Sequence, residues 1–118
     1  MSFLLLYVGE NHKFDSEKIK QIFQQSSNVR NLGEGTHGAL IQCEYALDDD
    51  FTVIRLKDDL ETIVIEGGGK SSMQAAMDIQ GGYNEPIHLI DEGYSFDIVL
   101  ADCDSVEELI RHIEKAEV

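Results

Sequence analysis

The spacing of apolar positions changes several times along the chain, and each change marks an element. Phe3-Leu4-Leu5-Leu6-Tyr7-Val8 is apolar at every position, the pattern of a central strand covered on both faces. Ile19, Ile22 and Phe23 then recur at helical spacing. They follow Asp15, a good N-cap residue, with Phe14 and Ile19 placed as a hydrophobic staple. Residues 28–38 turn polar and include Gly33, Gly35 and Gly38, which predicts a loop with room for a short strand around Val29. Alternation resumes at Ile41, Cys43, Tyr45 and Leu47. Asp48-Asp49-Asp50 turns the chain into a strand over 51–56, and Lys57-Asp58-Asp59-Leu60 turns it into another over 62–65. Short polar turns between such strands predict an antiparallel meander.

Gly67-Gly68-Gly69 breaks the strand pattern. Ser71 or Ser72 is placed to cap a second helix with Met73, Ala76 and Met77 on one face, and Gly81-Gly82 supplies its stop. Pro86 opens a strand over 87–90, and Asp91-Glu92-Gly93 returns the chain into a strand over 94–100 with Tyr94, Phe96, Ile98 and Leu100 in phase. In the last helix Val106, Leu109, Ile110 and Ile113 form the apolar stripe. Asp104 with Glu107, or Ser105 with Glu108, makes a capping box, and Arg111 and Lys115 lie toward the negative end of the dipole. The order β-α-β-β-β-α-β-β-α over residues 1–118 predicts one α+β domain: a mixed or mainly antiparallel sheet with three helices on its faces.

Charge narrows the functional classes. The chain carries 23 acidic against 9 basic residues, a net charge of -14, with an ordinary 42% of hydrophobic residues. Such a surface repels phosphate backbones and anionic membranes and draws in basic partners, although acidity also serves solubility alone. The expectation is therefore no nucleic-acid partner and no membrane partner. The apolar run at residues 3–8 is too short for a membrane span or a signal-peptide core, and Cys43 and Cys103 stand singly without metal-type spacing. Both features predict a cytoplasmic chain with reduced cysteines.

Most candidate chemistry weakens when tested against spacing. Gly67-Gly68-Gly69-Lys70-Ser71-Ser72 resembles a phosphate loop. However, the glycine that such a loop needs five positions before Gly69 is Val64, so a flexible turn leading to a helix is the simpler reading. His12, His37, His88 and His112 show no metal-ligand spacing, and neither they nor Cys103 define a nucleophilic site, so no catalytic residue, metal or cofactor is predicted. The acids do cluster: Asp48, Asp49 and Asp50, then Asp58, Asp59 and Glu61, then Asp91 and Glu92 beside Tyr94, all on strand-connecting turns. They read either as a solvated rim or as a docking surface for a basic protein. A calcium loop is disfavoured because the aspartates do not alternate with other residues.

The chain resembles the small acidic immunity proteins of bacterial polymorphic toxin systems, those of contact-dependent inhibition or type VI secretion. The likeness is carried by Thr62-Ile63-Val64-Ile65-Glu66-Gly67-Gly68-Gly69, the helix over 72–80, Pro86-Ile87-His88-Leu89-Ile90-Asp91 and Tyr94-Ser95-Phe96-Asp97. The resemblance implies a protein without catalysis that binds a cognate toxin, a basic nuclease or deaminase domain, and blocks its active site. On that reading the docking residues are Asp48, Asp49, Asp50, Asp58, Asp59, Glu61, Asp91, Glu92 and Tyr94, with Tyr45 and Tyr83 as further anchors. Two alternatives stand beside it: a small-molecule or enzymatic site near Gly67–Ser72 and His88, and an acidic adaptor for some other basic partner.

Overall fold

Strand β1 (Phe3–Tyr7) lies inside the sheet, paired on one side with β5 (Ile63–Glu66) and on the other with β6 (His88–Asp91). After β1 the chain passes through helix α1 (Ser16–Gln25) to the far edge. It then returns strand by strand through β2 (Val29–Glu34), β3 (Ala39–Leu47), β4 (Asp50–Lys57) and β5. Helix α2 (Lys70–Gly82) carries it over β1 to β6, which pairs with the short edge strand β7 (Asp97–Val99). A 3-10 turn (Leu100–Asp102) and helix α3 (Val106–Ala116) follow. The resulting order is β2-β3-β4-β5-β1-β6-β7, with every pairing antiparallel. This computed structural model describes residues 3–10, 12–36, 38–67 and 69–116. It is an α+β domain, as the element order predicts.

The expectation that β1 is covered on both faces fails. Leu4 and Leu6 are buried while Phe3, Leu5 and Tyr7 are only half-buried. Register carries this division across the sheet: Leu4 opposes Ile65, Leu6 opposes Ile63 and Leu89, Ile54 opposes Ile65 and Cys43, and Leu89 opposes Ile98. Paired residues share a face in an antiparallel ladder. These side chains join one core with Ile19 and Phe23 of α1, Ala75 and Ile79 of α2, and Leu109 of α3. The helices thus cover one face, and the sequence was continuously apolar because the other face keeps apolar residues without a covering layer.

Local signals decide the helix starts. Asp15 caps α1, accepting from the backbone N–H of Glu17 and Lys18, and Ser105 caps α3, accepting from Glu108 N–H at 3.1 Å. At α2 the expectation is corrected: neither serine is the N-cap. The helix starts behind Gly69, and Ser71 and Ser72 are buried. Gly81 and Gly82 do not stop the helix but lie within its last turn. A Cβ on Gly82 would stand 2.7 Å from Ile22 Cγ1, so this glycine permits the close approach of α1 and α2.

Two strand boundaries also move. The segment expected as a loop with a short strand around Val29 forms the six-residue β2, an edge strand whose register shifts between Arg30 and Gly33, with Asn31 at φ 55°. A bulged, exposed edge has no two-residue apolar period to betray it. The last strand is shorter than the expected span 94–100, because Tyr94 adopts φ 57° and Leu100 begins the 3-10 turn. The inward alternation of Phe96, Ile98 and Leu100 nevertheless holds.

Candidate functional site: the uncovered face of the sheet

The strands carry the nominated turn acids to two opposite ends of the sheet. Asp48 and Asp49 join β3 to β4 at the end where β5 stops at Glu66. Leu4 pairs with Asp91 at that same end, which brings Glu92 and Tyr94 there too. Asp58, Asp59 and Glu61 join β4 to β5 at the other end. Even on the shared end, about four strand spacings, ~19 Å, separate the β3–β4 turn from the β6–β7 turn. The nine residues therefore do not form one contiguous patch.

Several of these carboxylates are already engaged. Asp50 Oδ2 accepts from the Ser71 hydroxyl at 2.7 Å and from Ser71 N–H at 3.3 Å. Those bonds hold its carboxyl below the usual range. Asp91 accepts from the Ser95 hydroxyl and from Ser95 N–H, again with a lowered carboxyl, and so shapes the turn that presents Tyr94. Glu92 accepts from Phe3 N–H at 2.6 Å, and Asp59 accepts from Glu61 N–H at 2.9 Å. Asp48, Asp49, Asp58 and Glu61 are exposed. Of the proposed tyrosine anchors, Tyr45 and Tyr83 are corrected to core residues. The Tyr45 hydroxyl donates to Asp78, and the Tyr83 hydroxyl accepts from Asp15 N–H at 2.8 Å. Only Tyr94 is displayed, 65% exposed.

The start of α2 behind the glycine turn already meets an anion of the same chain. Gly67 takes φ 77°, Gly68 lies outside the described residues, and the N-terminus of α2 that follows is met by the carboxylate of Asp50. A helix N-terminus attracts an anion, and here a side chain of the same chain provides it. Beside the turn lies an open, mainly apolar cleft of about 450 Å³, lined by Phe3, Met73, Phe96 and Ile113 with Lys70 at its rim. His88, the other residue of that alternative, opposes Tyr7 on the uncovered face, well along β6 from the turn.

Cys43 and Cys103 are free and buried. Burial pushes the Cys43 thiol up to about 12, and burial also raises that of Cys103, which makes each a poor nucleophile at neutral pH. Among the described residues no group of three His, Cys, Asp or Glu side chains converges on a metal-sized site, and no helix is long and apolar enough to cross a membrane. His37 lies outside the described residues.

What the fold does assemble is the uncovered face. Leu5 opposes Val64 and Ile90, Val53 opposes Glu44, and Arg55 opposes Gln42 and Val64, so an apolar middle runs between polar flanks. Arg30 pairs with Glu44 at 3.0 Å and Arg55 with Glu66 at 2.9 Å. Toward β7 the face carries a connected polar cluster. Tyr7 stacks on His88 with ring centroids 4.7 Å apart, the Tyr7 hydroxyl donates to Asp97 Oδ2 at 2.6 Å, and His88 Nδ1 stands 2.8 Å from Asp97 Oδ1. The bond to Asp97 holds Tyr7 protonated far above its ordinary range, with burial and the nearby Tyr94 hydroxyl adding to it. Partial burial pushes the Asp97 carboxyl up, but the bonds from Tyr7 and His88 outweigh it and leave the group below the usual range.

Sequence reasoning missed Tyr7 and Asp97 and named His88 only beside the Gly67–Ser72 turn. The missing signal is hairpin register: a turn at 91–94 places His88 and Asp97 on the same face of adjacent strands, and β1 then sets Tyr7 beside His88. No protein-family model matches the chain, and comparison with curated proteins and with solved structures finds no match. The class is therefore defined by architecture alone: a helical layer on one face of a seven-stranded antiparallel sheet whose other face no element of the described residues covers.

Proposed function

We propose that the chain is a toxin-neutralising protein of the immunity type, which acts by binding a basic toxin domain and occluding its active site. The observation that carries this reading is the uncovered sheet face. It combines half-buried apolar side chains, Leu5, Val53 and Val64, with exposed aromatics, Phe51 and Tyr94, on a molecule of net charge -14. A central apolar patch with polar flanks has the anatomy of a protein interface, and the charge excess steers a cationic partner toward it. A second copy of the chain is a poor occupant, because two such anions repel.

Co-expression with the polypeptide encoded beside it tests the reading. Expected are survival of cells that the neighbouring polypeptide alone kills, and a stoichiometric complex on gel filtration. Cell death with both proteins expressed and folded, and no complex, would overturn it.

A further inference from the structure

Each of the two glutamates on the uncovered face that meets a fixed cation, Glu44 and Glu66, has an arginine partner, Arg30 and Arg55 respectively. Asp97 is different. Among the described residues it has no Lys or Arg partner, only the Tyr7 hydroxyl and His88. Its surroundings sharpen the imbalance: residues 84–104 hold Glu85, Asp91, Glu92, Asp97, Asp102 and Asp104 and neither lysine nor arginine. We propose that Asp97, with Tyr7, His88 and Tyr94 around it, is the seat for a guanidinium or ammonium group carried by the basic protein partner. This inference rests on the binding role argued above and names the point on the face where the partner is held.

Three features fit a cation, and a fourth sets Tyr94 apart. Asp97 accepts one bond on each oxygen, Tyr7 on Oδ2 and His88 on Oδ1, so each oxygen keeps a lone pair for the two-pronged approach of a guanidinium. The aromatic ring of Tyr7, half-exposed and stacked on His88, offers a π surface beside the carboxylate, and Tyr94 adds a second. The seat is also preorganised. Tyr7 and His88 stand on adjacent, hydrogen-bonded strands, so little side-chain freedom remains to be lost on binding. Finally, Tyr94 is a large exposed aromatic in the left-handed region at φ 57°, a conformation that costs about 1 kcal/mol or more for a non-glycine residue and that no burial of this side chain offsets.

The test is an NMR titration of the isotope-labelled full chain with the capped tripeptide Ac-Arg-Arg-Arg-NH2 and with its glutamine counterpart. Expected are saturable shifts centred on the amides of Tyr7, His88, Tyr94 and Asp97 with the arginine peptide only. Asp97→Asn should weaken that binding at least fivefold and Tyr94→Gly at least twofold, each with an otherwise native amide spectrum. Glu107→Gln with Glu114→Gln, on exposed positions of α3 across the sheet, should leave it within twofold. Shifts centred on residues 48–49 or 58–61, an absence of saturable binding, or unchanged affinity in both Asp97→Asn and Tyr94→Gly would each overturn the proposal. Survival of co-expressing cells decides the toxin-neutralising role separately. A chain whose Asp97→Asn and Tyr94→Gly variants protect cells and bind the toxin as well as the parent keeps that role and loses this seat.

Discussion

Tyr7 and Asp97 are 90 residues apart in sequence, yet the phenolic hydroxyl of one donates to the carboxylate of the other at 2.6 Å. The bond crosses β6 to join an interior strand to the edge strand β7. It forms on the uncovered face, so it is a polar tie made where no apolar layer can do the fastening. It also sets the two groups' protonation in opposite senses, raising Tyr7 and lowering Asp97.

Tyr7→Phe is expected to cost about 1 kcal/mol at pH 7, the scale of one partly exposed hydrogen bond to a charged acceptor. Asp97 has a depressed folded-state value, so its contribution is present above the unfolded carboxylate range, about 3.9, and is lost as pH falls through the folded value. The gap between parent and variant in urea unfolding should therefore narrow from pH 7 to pH 3. A gap that stays constant would show that the hydroxyl stabilises by some route other than the ionised Asp97.

Asp50 begins β4 and at the same time receives the N-terminus of α2 through Ser71. Asp50→Ala should lower Tm by several degrees, because Gly69 has no side chain to replace the lost cap. Asp50 too has a lowered carboxyl, so its effect belongs above the unfolded carboxylate range and fades as pH falls through the folded value. Thermal melts of Asp50→Ala and Asp49→Ala separate this role from surface charge. Equal shifts in the two would remove the capping role.

The adjacent glycines of α2 are expected to respond in opposite directions. Gly82→Ala drives a Cβ to 2.7 Å from Ile22 Cγ1 and should cost on the order of 1–2 kcal/mol. Gly81 has nothing within 4 Å of the added atom, so Gly81→Ala should stabilise by about 0.5–1 kcal/mol through helix propensity. Chemical denaturation of both variants checks the contrast, and Ile22→Ala in the Gly82→Ala background should recover part of the loss. A Gly82→Ala variant as stable as the parent would mean that α1 and α2 shift apart without cost.

These cases show where the sequence was readable. Asp15 and Ser105 are local signals, acting on backbone within three residues, and the helices they start were found from the sequence alone. The cap of α2 comes from Asp50, 21 residues from Ser71, and no short-range pattern encodes it. The inward face of β3 was legible from strict alternation, whereas β1 was apolar at every position and so read as covered on both sides. The Tyr7, His88 and Asp97 cluster demanded a sheet order, and that order places the first strand fifth among seven. Turn acids were conspicuous by composition, but the topology that sends them to opposite ends is a non-local property.

Tyr94 offers a test of stability set against binding. Glycine at φ 57° relieves the left-handed cost while adding backbone freedom to the unfolded chain. Because the ring is 65% exposed, little burial is lost, and Tyr94→Gly should stabilise by up to about 1 kcal/mol. Denaturant midpoints check this. A loss of stability would mean that the ring packs on Tyr7 strongly enough to outweigh the strain.

The two ends of the sheet should differ in how they steer a basic partner. Asp48 and Asp49 lie at the end shared with Glu92 and Tyr94, whereas Asp58 and Asp59 lie at the opposite end. Exposed charges act strongly only within about a Debye length, ~8 Å at physiological salt, which from Asp49 takes in the exposed Phe51 two residues on but not Tyr94, so location matters more than the count of charges reversed. Asp48→Lys with Asp49→Lys should slow association with the proposed basic partner severalfold and flatten its dependence on salt. Asp58→Lys with Asp59→Lys makes the same change in net charge and should have the smaller effect. Stopped-flow association over a salt series measures both. Equal slowing would assign the steering to the overall charge of -14 and leave the uncovered face to act only after encounter, through contacts that set the dissociation rate.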